Sequence, residues 1–397
     1  MRSVFNSGNN DNNEREGGIF HAVTRFVTSF DYLQIAGIAI LLAFGIVFVY
    51  STGIQSGNPD NLSRHITWIV LGTILYFGLS IFDYRYWAPL SPILYCFSLI
   101  LLVMVLFSSP INNARSWLSI PGMGIRLQPS EIGKISAVIL ASAIMASPKF
   151  KISSFRHLGI IAIVAAIPLY LILIEPDFGS AFVILPIFAM MLFAACIPYK
   201  WVIAVVAALI IIIPLAVLNE VYEVKPILNP YQRARIVTFL DPDSDPQGAG
   251  YNLRQARLAV GSGGWFGKGI GKGTLSGLGY LPQTVTNNDF IFSVIAEESG
   301  FTGVALLLFA EMILILSCLR IAFLTDDLFG RYIAVGFAAL LFCHSYINIG
   351  MCIGLAPISG LPLPLVSFGG SFMAMNLGTL GILQSIYRYR REVAYDQ

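Results

Sequence analysis

Long, almost unbroken apolar stretches separated by short polar breaks set the pattern of this chain. A helix rising 1.5 Å per residue needs about 20 residues to cross a hydrocarbon layer about 30 Å thick. Residues 33–52, 66–82, 88–107, 158–175 and 201–218 meet that length closely. Less regular stretches at 128–146, 180–197, 289–320, 332–354 and 371–387 bring the predicted spans to ten. The expected fold class is therefore an all-α polytopic membrane protein with both termini cytoplasmic and one long extracellular loop between helices 7 and 8.

Composition agrees with this pattern: 56% of the 397 residues are hydrophobic and 12% charged, against about 25% charged in soluble domains. The net charge of +2 suggests no nucleic-acid partner. Placement of the cations says more. With residues 1–30 as a cytoplasmic tail, the inner segments hold most of the short-loop Lys and Arg, while the short outer loops hold only Arg64, Arg115 and Arg126, as the positive-inside rule requires. Residues 31–391 form the predicted transmembrane domain and 392–397 a second cytoplasmic tail. The polar first 31 residues show no cleavable signal pattern. Cys96, Cys196, Cys318, Cys343 and Cys352 show neither metal-ligand spacing nor CxxC and read as small core residues,.

The span 289–320 would measure about 48 Å as one helix, so its first turns must project outward or tilt. That puts Asp289 at the outer surface, with Glu297 and Glu298 about 12 Å deeper along the same helix. An ionisable group facing the bilayer interior costs about 2.5–3.5 kcal/mol, which makes these carboxylates functional candidates. Asp289 opens an apolar helix and can be an N-cap. The same position suits a general base for a hydroxyl group, or a ligand for a divalent cation.

Glu131 and Lys134 lie three apart at the start of the fourth span, spaced to pair with each other or to meet an anionic ligand from an outward cavity. Glu175-Pro176-Asp177-Phe178-Gly179 forms an outer turn in which Asp177 can cap the sixth helix. The loop 220–288 is too long for a simple connection, and its aromatic residues argue for a folded segment over the outer face. It carries Arg233 and Arg235, then Arg254 and Arg257; each singly reads first as part of a solvated helix face, while several facing one groove would suit a pyrophosphate. Its Gly-rich run 261–274 is not a P-loop, because each Gly-Lys pair is followed by Gly,. A flexible or re-entrant loop fits better. The Pro- and Gly-rich segment 357–371, with Ser367, breaks helix at membrane depth, which is tolerated where backbone lines a cavity or is buried in protein.

Taken together, the Arg115/Trp117 region leading into QPSE and Lys134, then PDFG, PYQRARI with FLDP, GSGG with GKG, the DFIFSVIAEE block and GLPLPLVSFGGS resemble the SEDS family (shape, elongation, division and sporulation). That group contains RodA and FtsW, and the chain is more similar to its RodA-like members. The resemblance covers 31–391. It implies ten transmembrane helices and a peptidoglycan glycosyltransferase that polymerises lipid II at the outer face of the cytoplasmic membrane, with a class B penicillin-binding protein as transpeptidase partner. It further implies Asp289 as the catalytic residue, acting as general base or holding a divalent cation such as magnesium or manganese, and no organic cofactor. Glu131, Lys134, Arg115, Trp117, Arg233, Arg235 and Ser367 are the implied substrate contacts. Asn287, Asn288 and Glu175 depart from the family's usual residues, Glu175 standing where an uncharged residue is common. A lipid II flippase, or a noncatalytic scaffold of the cell-wall machinery, would use the same cavity and charges.

Overall fold

The computed structural model describes residues 29–108, 115–120, 125–221, 230–280 and 286–390. Both predicted tails fall largely outside them. Each of the ten predicted spans coincides with a helix: α1 (Tyr32–Gln55), α2 (Asp60–Ile81), α3 (Trp87–Val105), α4 (Pro129–Met145), α5 (Phe155–Ile174), α6 (Phe178–Ala194), α7 (Tyr199–Val221), α11 (Ile291–Leu324), α12 (Leu328–Ile353) and α13 (Gly370–Tyr389). Among the described residues, six segments are long and apolar enough to cross a membrane. The chain is a multi-pass membrane protein.

Burial sorts these helices into a centre and a rim. The apolar window of α12 is 78% buried, against 22–39% for the other five candidate spans. α12 packs on α11, α6 and α4, while α2 packs on α13, α3 on α4, and α11 on α1. The rim turns Ile, Leu and Phe outward, as expected where the solvent is lipid. This corrects one expectation: Cys318, Cys343 and Cys352 are buried, but Cys96 and Cys196 are exposed, where a small apolar side chain can face acyl chains as readily as a core.

Acidic caps fix several helix starts. Asp31 accepts from the Leu33 and Gln34 N–H groups and meets Arg320 at 3.3 Å, tying α1 to α11. Asp177 caps α6 through Ser180 and Asp327 caps α12 through Gly330. α12 ends at Gly354, whose φ of 80° is the left-handed conformation that suits glycine,.

The long loop is folded in its described parts, with α8 (Pro230–Leu240), α9 (Ala249–Ser262) and the short α10 (Thr274–Gly277). α9 packs against α11 and α12. A small hairpin, β1 (Leu118–Ile120) and β2 (Ile125–Leu127), pairs Ser119 with Arg126 ahead of α4.

α11 is not the continuous rod of about 48 Å. At Gly300 the backbone takes φ 65° and ψ −164°, dividing the element into a short helix ending at Ser299 and a longer one from Phe301. The longer piece measures about 36 Å, one membrane thickness with a margin. Glu297 and Glu298 therefore precede the break and do not continue into the spanning piece.

Candidate active site

Five separated sequence segments converge around Asp289. The Pro- and Gly-rich segment after α12 supplies the wall. Phe368 N–H donates to Asn287 O at 2.9 Å, the buried Ser367 hydroxyl to Asn288 O at 2.7 Å, and Asn348 Nδ2 of α12 to Asp289 O at 3.0 Å. The same Asn348 amide reaches Leu361 O at 2.7 Å, and Ser367 Oγ accepts from Leu363 N–H at 2.7 Å. Three consecutive backbone carbonyls are thus engaged, which fixes the Asp289 backbone without using its carboxylate.

The N-cap expectation for Asp289 is corrected here. The capping position is Phe290, without a side-chain cap bond, and among the described residues no hydrogen bond or ion pair occupies the half-buried Asp289 carboxylate. Gly360, at φ 73°, lies beside it: a Cβ there would stand 3.5 Å from Asp289 Oδ2. Burial raises the Asp289 pKa to about 6; the Arg235 guanidinium opposes that shift and the Asp177 carboxylate adds to it. Such a group is a base at neutral pH, close to the optimum for proton transfer.

Arg235 and Asp177 are placed by the remaining segments. Arg235, on α8, donates from Nη1 to Ser359 O at 3.1 Å. Asp177 accepts from Gln128 Nε2 at 3.0 Å. Gly179 of the same turn needs to be glycine, since a Cβ would meet Ser359 O at 2.5 Å. The QPSE, PDFG, PYQRARI, DFIF and GLPLP segments therefore meet at one place.

The other sequence candidates are distributed unevenly. Lys134 is buried about 9 Å further along α4 from Gln128,, with Nζ 2.8 Å from Glu131 Oε1 and 2.9 Å from His344 Nε2. In this conformation its ammonium is enclosed by protein. Arg233 is half-buried on α8. Arg115 is exposed and donates from Nη1 to Leu106 O at 2.9 Å, beside the end of α3. Trp117 is half-buried next to Ser116, whose hydroxyl reaches Glu175 O at 3.3 Å. Arg254 pairs with Asp243, and Arg257 is exposed with Nη2 3.4 Å from Gly354 O.

Burial and the neighbouring Asp177 both favour the uncharged form of Glu175, pushing its pKa up to about 9. Both carboxyl oxygens are buried without partners among the described residues. The departure from an uncharged residue is electrostatically small.

His344 and Asn348 were not singled out from sequence. They lie four apart on one face of α12, and polar side chains at that spacing inside an apolar helix were the available signal.

Among the described residues no group of three or more His, Cys, Asp or Glu side chains is arranged to hold a metal ion unaided. Magnesium needs less, since one or two carboxylates suffice when substrate phosphates complete the shell. The uncommitted Asp289 carboxylate fits that mode.

Comparison with known proteins agrees with this convergence of motifs. The FtsW, RodA and SpoVE family model, described as cell cycle protein, matches residues 32–392. The chain belongs to that family. It is 30% identical to the peptidoglycan glycosyltransferase RodA of Treponema pallidum, over 91% of this chain and 98% of the relative. It is 35% identical to the peptidoglycan glycosyltransferase MrdB of Escherichia coli K12, over 88% and 91%. A solved chain from work on coordination of polymerization and crosslinking by a peptidoglycan synthase complex superposes with a TM-score of 0.77 at 29% identity, covering 91% of this chain and 98% of that one. The crystal structure of Thermus thermophilus rod shape determining protein RodA gives 0.67 at 26% identity, covering 91% and 97%.

Proposed function

We propose that this chain is a peptidoglycan glycosyltransferase that uses Asp289 to polymerise lipid II during cell elongation, at the outer face of a bacterial cytoplasmic membrane crossed by ten helices. The observation that supports the role of Asp289 is its carboxylate: Asn348 and Ser367 hold the backbone around it, and among the described residues no hydrogen bond or ion pair engages it. The hydroxyl oxygen of one lipid-linked disaccharide forms a bond to the anomeric carbon of another while the bond from that carbon to pyrophosphate breaks. Asp289 takes the hydroxyl proton, and the leaving pyrophosphate keeps the electron pair. Arg235, on the same wall, is suited to meet the charge that develops on those phosphate oxygens. Lys134 and Glu131, now bound to each other and to His344, would meet substrate only after those bonds rearrange; Arg233, Arg115, Trp117 and Ser367 complete the proposed substrate contacts. A magnesium or manganese ion at Asp289 would supply charge neutralisation for the pyrophosphate.

Elongation is favoured by the RodA and MrdB relatives. Identity alone does not separate the roles, because a probable FtsW of Hydrogenovibrio crunogenus is 36% identical over 87% of this chain. A class B penicillin-binding protein is the proposed partner, in line with the synthase complex among the structural neighbours.

The test is reconstitution of the purified chain, with and without that partner, on labelled lipid II with divalent cation. Glycan ladders from wild type and none from a folded Asp289→Ala variant are expected. Ladders from Asp289→Ala would remove that residue from the chemistry. Absence of ladders from folded wild type even with partner, combined with lipid II movement between leaflets, would favour the flippase; absence of both would favour the scaffold.

A further inference from the structure

The Gly-rich run takes no part in the chemistry above, and its geometry gives it a different task. It fills the break in α11. The N–H groups of Lys268 and Gly269 donate to the carbonyls of Glu297 and Glu298, at 3.0 and 2.9 Å, and the carbonyls of Gly264 and Trp265 accept from Phe301 and Thr302, at 2.8 and 3.0 Å. Carbonyls that end the short helix and N–H groups that start the long one are both satisfied by one turn of loop, as non-helical backbone at a membrane boundary must be. Glycine permits the approach: a Cβ at Gly263 would lie 1.9 Å from Ala296 O, and one at Gly300 2.3 Å from Gly267 N.

The side chains of this turn point in opposite chemical directions. Inward, Glu297 Oε1 accepts from Lys268 Nζ at 2.6 Å and from the Thr274 and Leu275 N–H groups at 2.8 and 3.0 Å, capping α10. Glu298 accepts from Ser51 and Gln55 of α1, both at 2.7 Å, and from Gly271 N–H. Outward, Trp265 is 69% exposed, Phe266 81% and Ile270 58%. A folded loop clamped this firmly would not leave three large apolar side chains in water without a partner.

Continuity with the spanning surface identifies that partner. Trp265 meets Phe301 edge-on, with ring centroids 5.2 Å apart, and Phe301 begins the exposed apolar stripe of the spanning piece, continued by Leu308, Phe309, Met312 and Leu316. The loop aromatics extend a surface that already faces lipid. Trp at the end of a spanning helix is also the usual occupant of the headgroup boundary.

We infer that the 263–271 turn is an interfacial anchor whose Trp265, Phe266 and Ile270 side chains insert among the acyl chains of the leaflet on the Asp289 side. Exposed Lys272 stands beside it, where it can meet headgroup phosphates,. The short helix from Ile291 to Ser299 joins this anchor to Asp289, so the anchor holds Asp289 within about 15 Å of the headgroup layer. The inference rests on the membrane fold and is independent of the reaction.

Trp265 fluorescence tests it, read as the difference between wild type and Trp265→Phe, which keeps an aromatic ring against Phe301. Both proteins are placed in nanodiscs whose lipids carry bromine on the acyl chains near the headgroup, and iodide serves as aqueous quencher. The component that Trp265→Phe removes is expected to be lost to brominated lipid and insensitive to iodide. Quenching by iodide with no effect of brominated lipid would overturn the anchor. Iodide access in the chain alone that disappears on adding the penicillin-binding partner would also overturn it, assigning the surface to protein instead.

Discussion

Asp289 and Glu297 stand eight residues apart in one block, DFIFSVIAEE, yet the fold treats them oppositely. Glu297 is fully buried and its Oε1 accepts from Lys268, Thr274 and Leu275. Asp289 is held through its backbone, and among the described residues no hydrogen bond or ion pair engages its carboxylate. The first carboxylate is structural because its charge is already answered by the protein. The second can do chemistry because only the longer-range field of Arg235 answers its charge.

Breaking the open side of this contrast should have the largest effect. Asp289→Asn keeps size and backbone bonds but removes the base, so polymerisation should fall by at least about 10²-fold, the lower range for a positioned general base. Glycan product measured at matched protein stability checks this.

On the closed side, Glu297→Ala removes the acceptor for Lys268 and for the first N–H groups of α10, and should lower stability by about 1–3 kcal/mol, as loss of charge-assisted hydrogen bonds does. Thermal unfolding in detergent reads it directly, and activity below the new transition should be retained in part.

The pH profile sharpens the comparison without mutation. Burial raises the Asp289 pKa to about 6, so the folded chain holds that proton more tightly than the unfolded chain. The stability this contributes is fully present below the ordinary aspartate range and is lost as pH rises through about 6,. Activity runs the other way, falling about tenfold per pH unit on the acid side of 6 as the base form is depleted. An acid limb at 4 or no acid limb in the rate profile would contradict this.

A smaller effect is expected from Asn348→Ala, which frees the Asp289 and Leu361 carbonyls from their shared donor. A net hydrogen bond is worth about 1 kcal/mol, so the rate constant should drop several-fold with little change in apparent substrate affinity. Steady-state kinetics separates the two.

The helices were legible in the sequence because a crossing needs only length and apolarity, which are properties of one segment at a time. The Glu131–Lys134 pair was legible too, because i and i+3 are neighbours on any helix,. Roles that depend on distant partners were not. Glu298 meets Ser51 across 247 residues, and nothing local announces that. Gly300 reads the same in a continuous helix as in a broken one; only its positive φ, imposed by the docked loop, separates the cases. The N-cap reading of Asp289 failed because the bonds from Asn348 and Ser367 hold the preceding backbone in a turn that starts the helix one residue later.

The most direct test sets Asp289→Asn beside Glu297→Gln in the same membranes, measuring glycan ladders from labelled lipid II together with thermal unfolding. The account predicts that Asp289→Asn unfolds no earlier than wild type and makes no ladder, while Glu297→Gln unfolds earlier and still makes one. Ladders from Asp289→Asn, or a Glu297→Gln variant of unchanged stability that makes none, would contradict it.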